Sequence, residues 1–320
     1  MRSPILFLIF NRPDVTRKVF NAIQSSKPAR LYIAADGPRT TKIGEVELCE
    51  EVRKIATQVD WPCEIKTLFR RENLGCKKAV SSAITWFFEH EPEGIILEDD
   101  VVPSPAFFEF CDYALEEYRN DHRIGMVTGT NLLGADVNSM EYMYSQIFSI
   151  WGWATWKRAW DLYNVKMDEW PNKYLKDSLL YRYKPDLAGY FIRTFDSHVA
   201  RNIDTWDTQW VYTCVFNSFV CITPKANMVT NIGIVGTHSS VETANNNVGY
   251  GNTVGIHYIP PRSVCLDPYF DSKITEKIYR PALLISKMSQ ITKAIGVHFF
   301  AKMIYKIYNH FKKINNKFLK

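Results

Sequence analysis

The sequence predicts an α/β fold built on a mostly parallel sheet with helices on both faces. Three observations predict it. Short apolar runs alternate with helix-period segments through the first 130 residues, those runs end in polar clusters, and 46% hydrophobic content over 320 residues is enough to fill a substantial core.

The first strand is read at Ile5–Phe10. Its apolar content could be mistaken for part of a signal peptide, but it runs directly into Asn11-Arg12-Pro13-Asp14 with no small-residue cleavage site, as a buried strand does. A helix follows over Asp14–Ser26 with Asp14 as its N-cap. Then come a strand at Leu31–Ala35, a helix over Ile43–Val59, a strand at Glu64–Phe69, a helix over Lys77–Glu89 and a strand at Gly94–Leu97. A helix over Pro105–Tyr118, capped by Ser104, and a strand at Ile124–Thr128 complete the alternation. From Met140 to Trp160 the composition turns aromatic. Residues 200–240 read as a helix running to Phe219, a strand and a loop; 245–255 is a polar, Gly-rich loop, and a helical tail begins at about Asp271.

Composition excludes several function classes. Seven scattered cysteines, none in a C-x-x-C pair, argue against a disulfide framework or a thiolate zinc site and for a reducing compartment. No apolar run reaches the roughly 18 residues of a spanning helix. Residues 281–320 carry eight Lys and no acid, and subtracting those eight from the chain's net +5 leaves residues 1–280 at −3. The body therefore offers no case for nucleic-acid binding. The 9 Trp and 17 Tyr suit stacking on sugar or base rings as well as core packing.

In a parallel sheet the ligand lies beyond the carboxyl ends of the strands. Four predicted strands end there in polar groups: Asn11-Arg12, Asp36-Gly37, Arg70-Arg71-Glu72-Asn73 and Glu98-Asp99-Asp100. Adjacent carboxylates repel and raise one another's pKa unless a cation neutralises them. A hard cation, Mn²⁺ or Mg²⁺, held by one or two carboxylates and otherwise by phosphate oxygens and water, meets that need. A solvated acidic turn is the alternative, but placement between a buried strand and a capped helix favours the ligand.

The segment Ile95-Ile96-Leu97-Glu98-Asp99-Asp100-Val101-Val102-Pro103-Ser104-Pro105-Ala106-Phe107-Phe108 resembles the metal-binding segment of GT-A glycosyltransferases, above all the N-acetylglucosaminyltransferase I family. The likeness extends over roughly residues 4–240. A small bacterial group of glycosyltransferase-like proteins, some called hemolytic proteins, is similar along nearly the whole length. The resemblance implies a GT-A fold over 1–270, with 1–130 the nucleotide-sugar-binding half, 131–270 the acceptor-side half and 271–320 a basic amphipathic tail. It implies that Asp100 binds the metal directly, that Glu98 and Asp99 contact the ribose or support the site, and that Asn11, Arg12 and Asp36 meet the uridine. Asn73-Leu74-Gly75 resembles a segment of related inverting transferases, and Arg71, Lys77 or Lys78 would assist the diphosphate. Trp151-Gly152-Trp153-Ala154-Thr155-Trp156 resembles an acceptor-side stretch, placing Asn131, Trp151, Trp153 and Trp206 there. His238, in a segment similar to the family's Gly-Val-Ser-His, becomes a further metal or diphosphate contact.

Inverting transfer also needs a base for the acceptor hydroxyl. Trp206-Asp207-Thr208-Gln209-Trp210 resembles the family's Trp-Asp-Asp-Trp segment, which makes Asp207 the base; Thr208-Gln209 departs from it, and Asp204 is the fallback. Either Asp could instead simply cap a helix. The expected activity is inverting, metal-dependent transfer from a UDP-sugar, UDP-N-acetylglucosamine foremost, to a glycan or lipid-linked acceptor in surface polysaccharide synthesis. The alternatives are a nucleotidyltransferase acting on sugar phosphates, or a non-catalytic sugar-binding or membrane-active module. A Rossmann dehydrogenase is excluded, because Asn11-Arg12-Pro13 stands where G-x-G-x-x-G belongs.

In the tail, Leu283, Leu284, Ile285, Met288, Ile291, Ile295, Phe299, Met303, Ile307 and Phe311 recur at helical spacing beside the eight lysines. Packing on the catalytic domain is one reading. Lying in an anionic membrane interface is the other, rewarded by about 1 kcal/mol per basic residue. The expected location is therefore the cytoplasm, peripherally on the inner face of the cytoplasmic membrane.

Overall fold

Pro13 opens the first helix as sequence chemistry requires, since its missing N–H is one of the unpaired first-turn donors in any case. The computed structural model describes residues 1–134, 141–170, 172–233, 258 and 263–280. In chain order they form β1 (Ile5–Ile9), α1 (Pro13–Ser26), β2 (Arg30–Ala35), α2 (Glu45–Ala56), β3 (Glu64–Phe69), α3 (Cys76–Phe88), β4 (Glu93–Glu98), β5 (Val101–Pro103) and α4 (Pro105–Glu117). They continue with β6 (Ile124–Thr128), β7 (Tyr142–Ser145), β8 (Trp153–Trp156), α5 (Lys157–Trp160), α6 (Lys173–Arg182), α7 (Pro185–Arg201), α8 (Asp207–Phe216), β9 (Val220–Pro224), β10 (Val229–Asn231) and α9 (Pro268–Ile274), which runs into a π-helical turn over Thr275–Tyr279.

Eight strands make one sheet in the order β3-β2-β1-β4-β8-β6-β9-β7. From β3 to β4 every pairing is parallel; β8 runs antiparallel to both β4 and β6, and β7 antiparallel to β9. The expected α/β fold with a largely parallel, helix-flanked sheet is therefore present, with its parallel part on the side of the acidic strand end. Ile5, Phe7, Ile9, Ile95 and Leu97 belong to the core cluster on one face, together with residues of α1, α2 and α4. On the other face Tyr32 meets Phe87 of α3 edge-on at 4.9 Å, and the Trp210 indole of α8 donates to Met126 Sδ at 3.4 Å.

Several expected boundaries shift for local reasons. Asp14 is not the N-cap of α1; Arg12 holds that position and Asp14 lies in the first turn, where its charge still suits the helix dipole. Ser104 does hold the cap position of α4, but its buried hydroxyl has no hydrogen-bond partner among the described residues. The expected helix at Ile43–Val59 is confined to Glu45–Ala56, with Ile43 fully exposed ahead of it. The helix expected to reach Phe219 stops at Phe216, and β9 follows almost at once.

The chain divides into two units, Met1–Asp168 with Arg201–Asp271, and Glu169–Ala200 with Ser272–Lys320. The first contains the whole sheet. The second includes α6 and nearly all of α7, which sequence analysis assigned to the acceptor-side half; within it Arg280 Nε donates to Asp186 at 2.7 Å and Tyr190 stacks on Tyr279 at 4.0 Å. Among the described residues no helix is long and apolar enough to cross a membrane. His238, the 245–255 loop and the 281–320 tail lie outside the described residues.

Candidate active site

Register places the acids. Leu8 of β1 pairs with Glu98 and Ile96 pairs with Trp153, so Glu98 leaves β4 on the face that carries Leu8, Ile96 and Trp153. Trp153 is fully buried there, stacks with Trp206 at 5.6 Å and meets Trp210 in a tilted contact at 5.4 Å. This tryptophan cluster fixes the start of α8, and the residue after Trp206 is Asp207. A strand end and a helix start 109 positions apart in sequence are thereby brought into one electrostatic environment: Asp207 is among the acids that raise the Glu98 carboxyl.

The acidic triplet does not act as a unit. Asp99 is buried and turned to Arg12, whose Nε donates to Oδ2 at 3.3 Å and whose Nη2 makes a short bond to Oδ1. Arg12 Nη1 lies 3.0 Å from Asp100 Oδ2 as well. Burial lifts the Asp99 carboxyl to about 6, and Arg12 opposes that rise. Glu98 is half-buried, and its carboxylate accepts no hydrogen bond from a described residue. Burial, then Asp100, Asp207 and Asp99, push it up to about 8, with Arg12 offsetting part. Gly233 closes the site from beside β10: a Cβ there would stand 2.2 Å from Asp100 Oδ2, so any side chain would displace that carboxylate.

Among the described residues no three His, Cys, Asp or Glu side chains are arranged to hold a metal ion together. Their chemistry does suit a cation completed by ligand oxygens. Glu98, Asp99 and Asp100 leave β4 as consecutive hard-oxygen donors, Arg12 pairs with the last two only, and burial, then the neighbouring acids, raise the Glu98 carboxyl.

The other expected donor residues are largely occupied. The Asp36 carboxylate accepts N–H groups from Gly37, Leu74 and Gly75 and from the Asn73 side chain, all at 2.9 to 3.1 Å. The Asn11 amide donates to Glu45 Oε1 at 2.9 Å, and Glu45 is also ion-paired to Arg39, whose guanidinium lies 5.4 Å over the Phe10 ring. Arg71 and Lys78 are exposed, while Lys77 Nζ is 3.4 Å from Asn202 Oδ1. The Arg12–Asp99 pairing escaped sequence analysis because it spans 87 residues, and the Glu45–Arg39 pair because it depends on how the loop ahead of α2 folds back.

On the expected acceptor side, Trp153 and Trp206 present no face to solvent; they are core residues that seat α8. Asn131 is buried too, donating to the Pro224 and Lys225 carbonyls and accepting from Leu133 N. Trp151 is half-buried. Asp207 Oδ1 accepts from Thr205 Oγ1 and Thr208 N, both at 2.6 Å, leaving Oδ2 without a hydrogen bond among the described residues. Asp204, the alternative base, is engaged through both oxygens, by Cys76 N at 3.0 Å and Lys77 N at 2.9 Å.

No protein-family model and no curated protein matches the sequence. Among solved structures, HddC from Yersinia pseudotuberculosis is similar at TM-score 0.32 and 9% identity, over 53% of this chain and 80% of that one. UDP-glucose pyrophosphorylase complexed with UDP-glucose gives 0.32 and 8%, over 51% and 79%. Mouse xyloside xylosyltransferase 1 gives 0.32 and 12%, over 67% and 81%. The likenesses are weak, and they single out no family.

Proposed function

We propose that the chain is an inverting, metal-dependent glycosyltransferase of the GT-A kind, moving a sugar from a UDP-sugar to a glycan or lipid-linked acceptor. One observation carries the reading: unsatisfied Glu98 and half-satisfied Asp207 share one electrostatic environment at the carboxyl edge of the parallel strands. Asp207, through Oδ2, takes the proton of the acceptor hydroxyl as that oxygen bonds to the sugar's anomeric carbon and the bond to the UDP oxygen breaks. Asp100, with Glu98 beside it, would hold a Mn²⁺ or Mg²⁺ ion, and such an ion supplies charge stabilisation for the departing diphosphate. Arg12 holds Asp99 and Asp100 in place for this. Asp36 serves by shaping the 73–75 loop against which the nucleotide lies, and Asn11, Arg71 and Lys77 stand at the rim as donor contacts. His238, outside the described residues, is proposed as a further metal or diphosphate contact.

The test is a screen of nucleotide sugars for Mn²⁺-dependent thermal stabilisation, followed by product analysis. UDP-N-acetylglucosamine is expected to stabilise best and to yield UDP. Release of pyrophosphate from a nucleoside triphosphate and a sugar phosphate would overturn the reading in favour of nucleotidyl transfer.

A further inference from the structure

The start of α3 has no cap of its own. Helices leave their first N–H groups unpaired, and a local Ser, Thr, Asp or Asn usually accepts from them. Here the cap position is Gly75, which has no side chain to offer. Two distant carboxylates take over. Asp36 accepts from Leu74 N and Gly75 N, and Asp204 accepts from Cys76 N and Lys77 N, so four consecutive amides are shared between a strand end and the segment ahead of α8. The Asp204 contacts span 128 and 127 residues of sequence.

Gly75 is the residue that lets Asp204 in. Its φ is +80°, and a Cβ there would lie 2.7 Å from Asp204 Oδ2. Any side chain at 75 would therefore both strain the backbone and expel the carboxylate. Lys77 adds a longer contact to Asn202 Oδ1, so the 202–204 segment is held at two points.

Three residues beyond Asp204 stands Asp207, the first residue of α8. We infer that Asp204 is a positioning residue: by latching onto the first turn of α3 it fixes where α8 begins, and with it the free oxygen of Asp207, relative to the 73–77 loop. This rests on the reading of Asp207 as base, and it assigns Asp204 a different task from proton transfer, because both its oxygens already accept N–H groups. The latch also joins the two halves of the proposed reaction, since the 73–77 loop belongs to the donor side and Asp207 to the acceptor side. Misplacement of a reacting group by about 1 Å costs on the order of 10²-fold in rate, which sets the size of effect expected when a latch three residues from the base is released.

The experiment uses the full chain and two independent readouts. By hydrogen exchange, Asp204→Ala and Gly75→Ala are each expected to raise amide exchange at residues 74–78 and 205–210 together, and Asp204→Asn, which keeps one acceptor oxygen, to raise both by less. With UDP-N-acetylglucosamine as donor, Asp204→Ala should lower turnover roughly 10²-fold while the donor KM moves by less than about threefold. Added to Asp207→Asn it should cost no further turnover, because it acts through that residue. Faster exchange at 74–78 with 205–210 unchanged, or turnover losses that multiply in the double variant, overturns the inference. Absence of turnover with any UDP-sugar sinks the glycosyltransferase reading and leaves the exchange result to decide the latch; if Asp204→Ala does not fold, Asp204→Asn carries both arms.

Discussion

Asp36 and Glu98 end two strands that flank β1 in the same parallel sheet, and the protein treats their carboxylates in opposite ways. Asp36 accepts four N–H groups and is tied into the backbone of the neighbouring loop. Glu98 accepts none from the described residues and is pushed up to about 8 by burial and by the acids around it. Asp204 and Asp207 repeat the contrast three residues apart, one satisfied through both oxygens and the other through one. The satisfied acids brace the frame, whereas Glu98 and Asp207 keep carboxylate oxygens that no described residue bonds, and a buried carboxylate without a partner costs free energy in its charged form.

The contrast is broken most completely at Asp100. Chelation by EDTA, or Asp100→Ala in a folded protein, is expected to abolish sugar transfer; full activity of that variant in metal-free buffer would remove the metal from the proposal. Next in size, Asp207→Asn should lose about 10²–10⁴-fold in turnover while calorimetry shows UDP-sugar affinity unchanged. Near-normal turnover would show that the free oxygen of Asp207 is not the proton acceptor.

Frame acids should fail differently. Asp36→Ala strands four N–H groups and is expected to cost about 1–3 kcal/mol of stability, read from the denaturant midpoint. An unchanged midpoint would mean that Asp36 does not brace the loop. Glu98 sharpens the comparison through pH. A carboxyl raised from 4.5 to about 8 keeps its proton longer in the folded chain than in the unfolded one. Its contribution to stability is thus fully present below the unfolded value and is lost as pH rises through the folded one. In EDTA, Glu98→Gln should therefore raise Tm by roughly 2–4 °C near pH 9 and scarcely near pH 5. Equal shifts at both pH values would contradict the burial argument. The smallest effect on the crevice is expected from removing residues 281–320, proposed to rest on an anionic membrane surface: vesicle binding should fall while UDP-sugar turnover stays the same. Equal vesicle binding by both forms refutes the anchor.

Much of the frame was legible from local pattern. β1, β2, β4 and β6 lie where apolar runs stand, because a strand buried on both faces must be apolar throughout, whereas the exposed edge strand β3 shows only the alternating Ile65, Thr67 and Phe69. Helix ends were less legible. Asp14 and Ser104 have cap-forming side chains, yet neither makes the cap, while Gly75 has none and is capped from 128 residues away. The tryptophans of residues 151–156 and 206–210 carry the same chemistry whether they stack on a sugar or on one another, and Trp153 and Trp206 do the latter.

What the sequence determined by itself is whatever depends on neighbours along the chain: the alternation of strand and helix, the presence of acids at a strand end, and the concentration of positive charge in the last forty residues. What only the tertiary structure decided is which of those acids are satisfied. Arg12 meets Asp99, Leu74 meets Asp36 and Cys76 meets Asp204 across separations of 87, 38 and 128 residues. A carboxylate's charge state and availability follow from the donors within about 3 Å of it, and only the folded sheet, by setting strand order and register, brings those donors within reach.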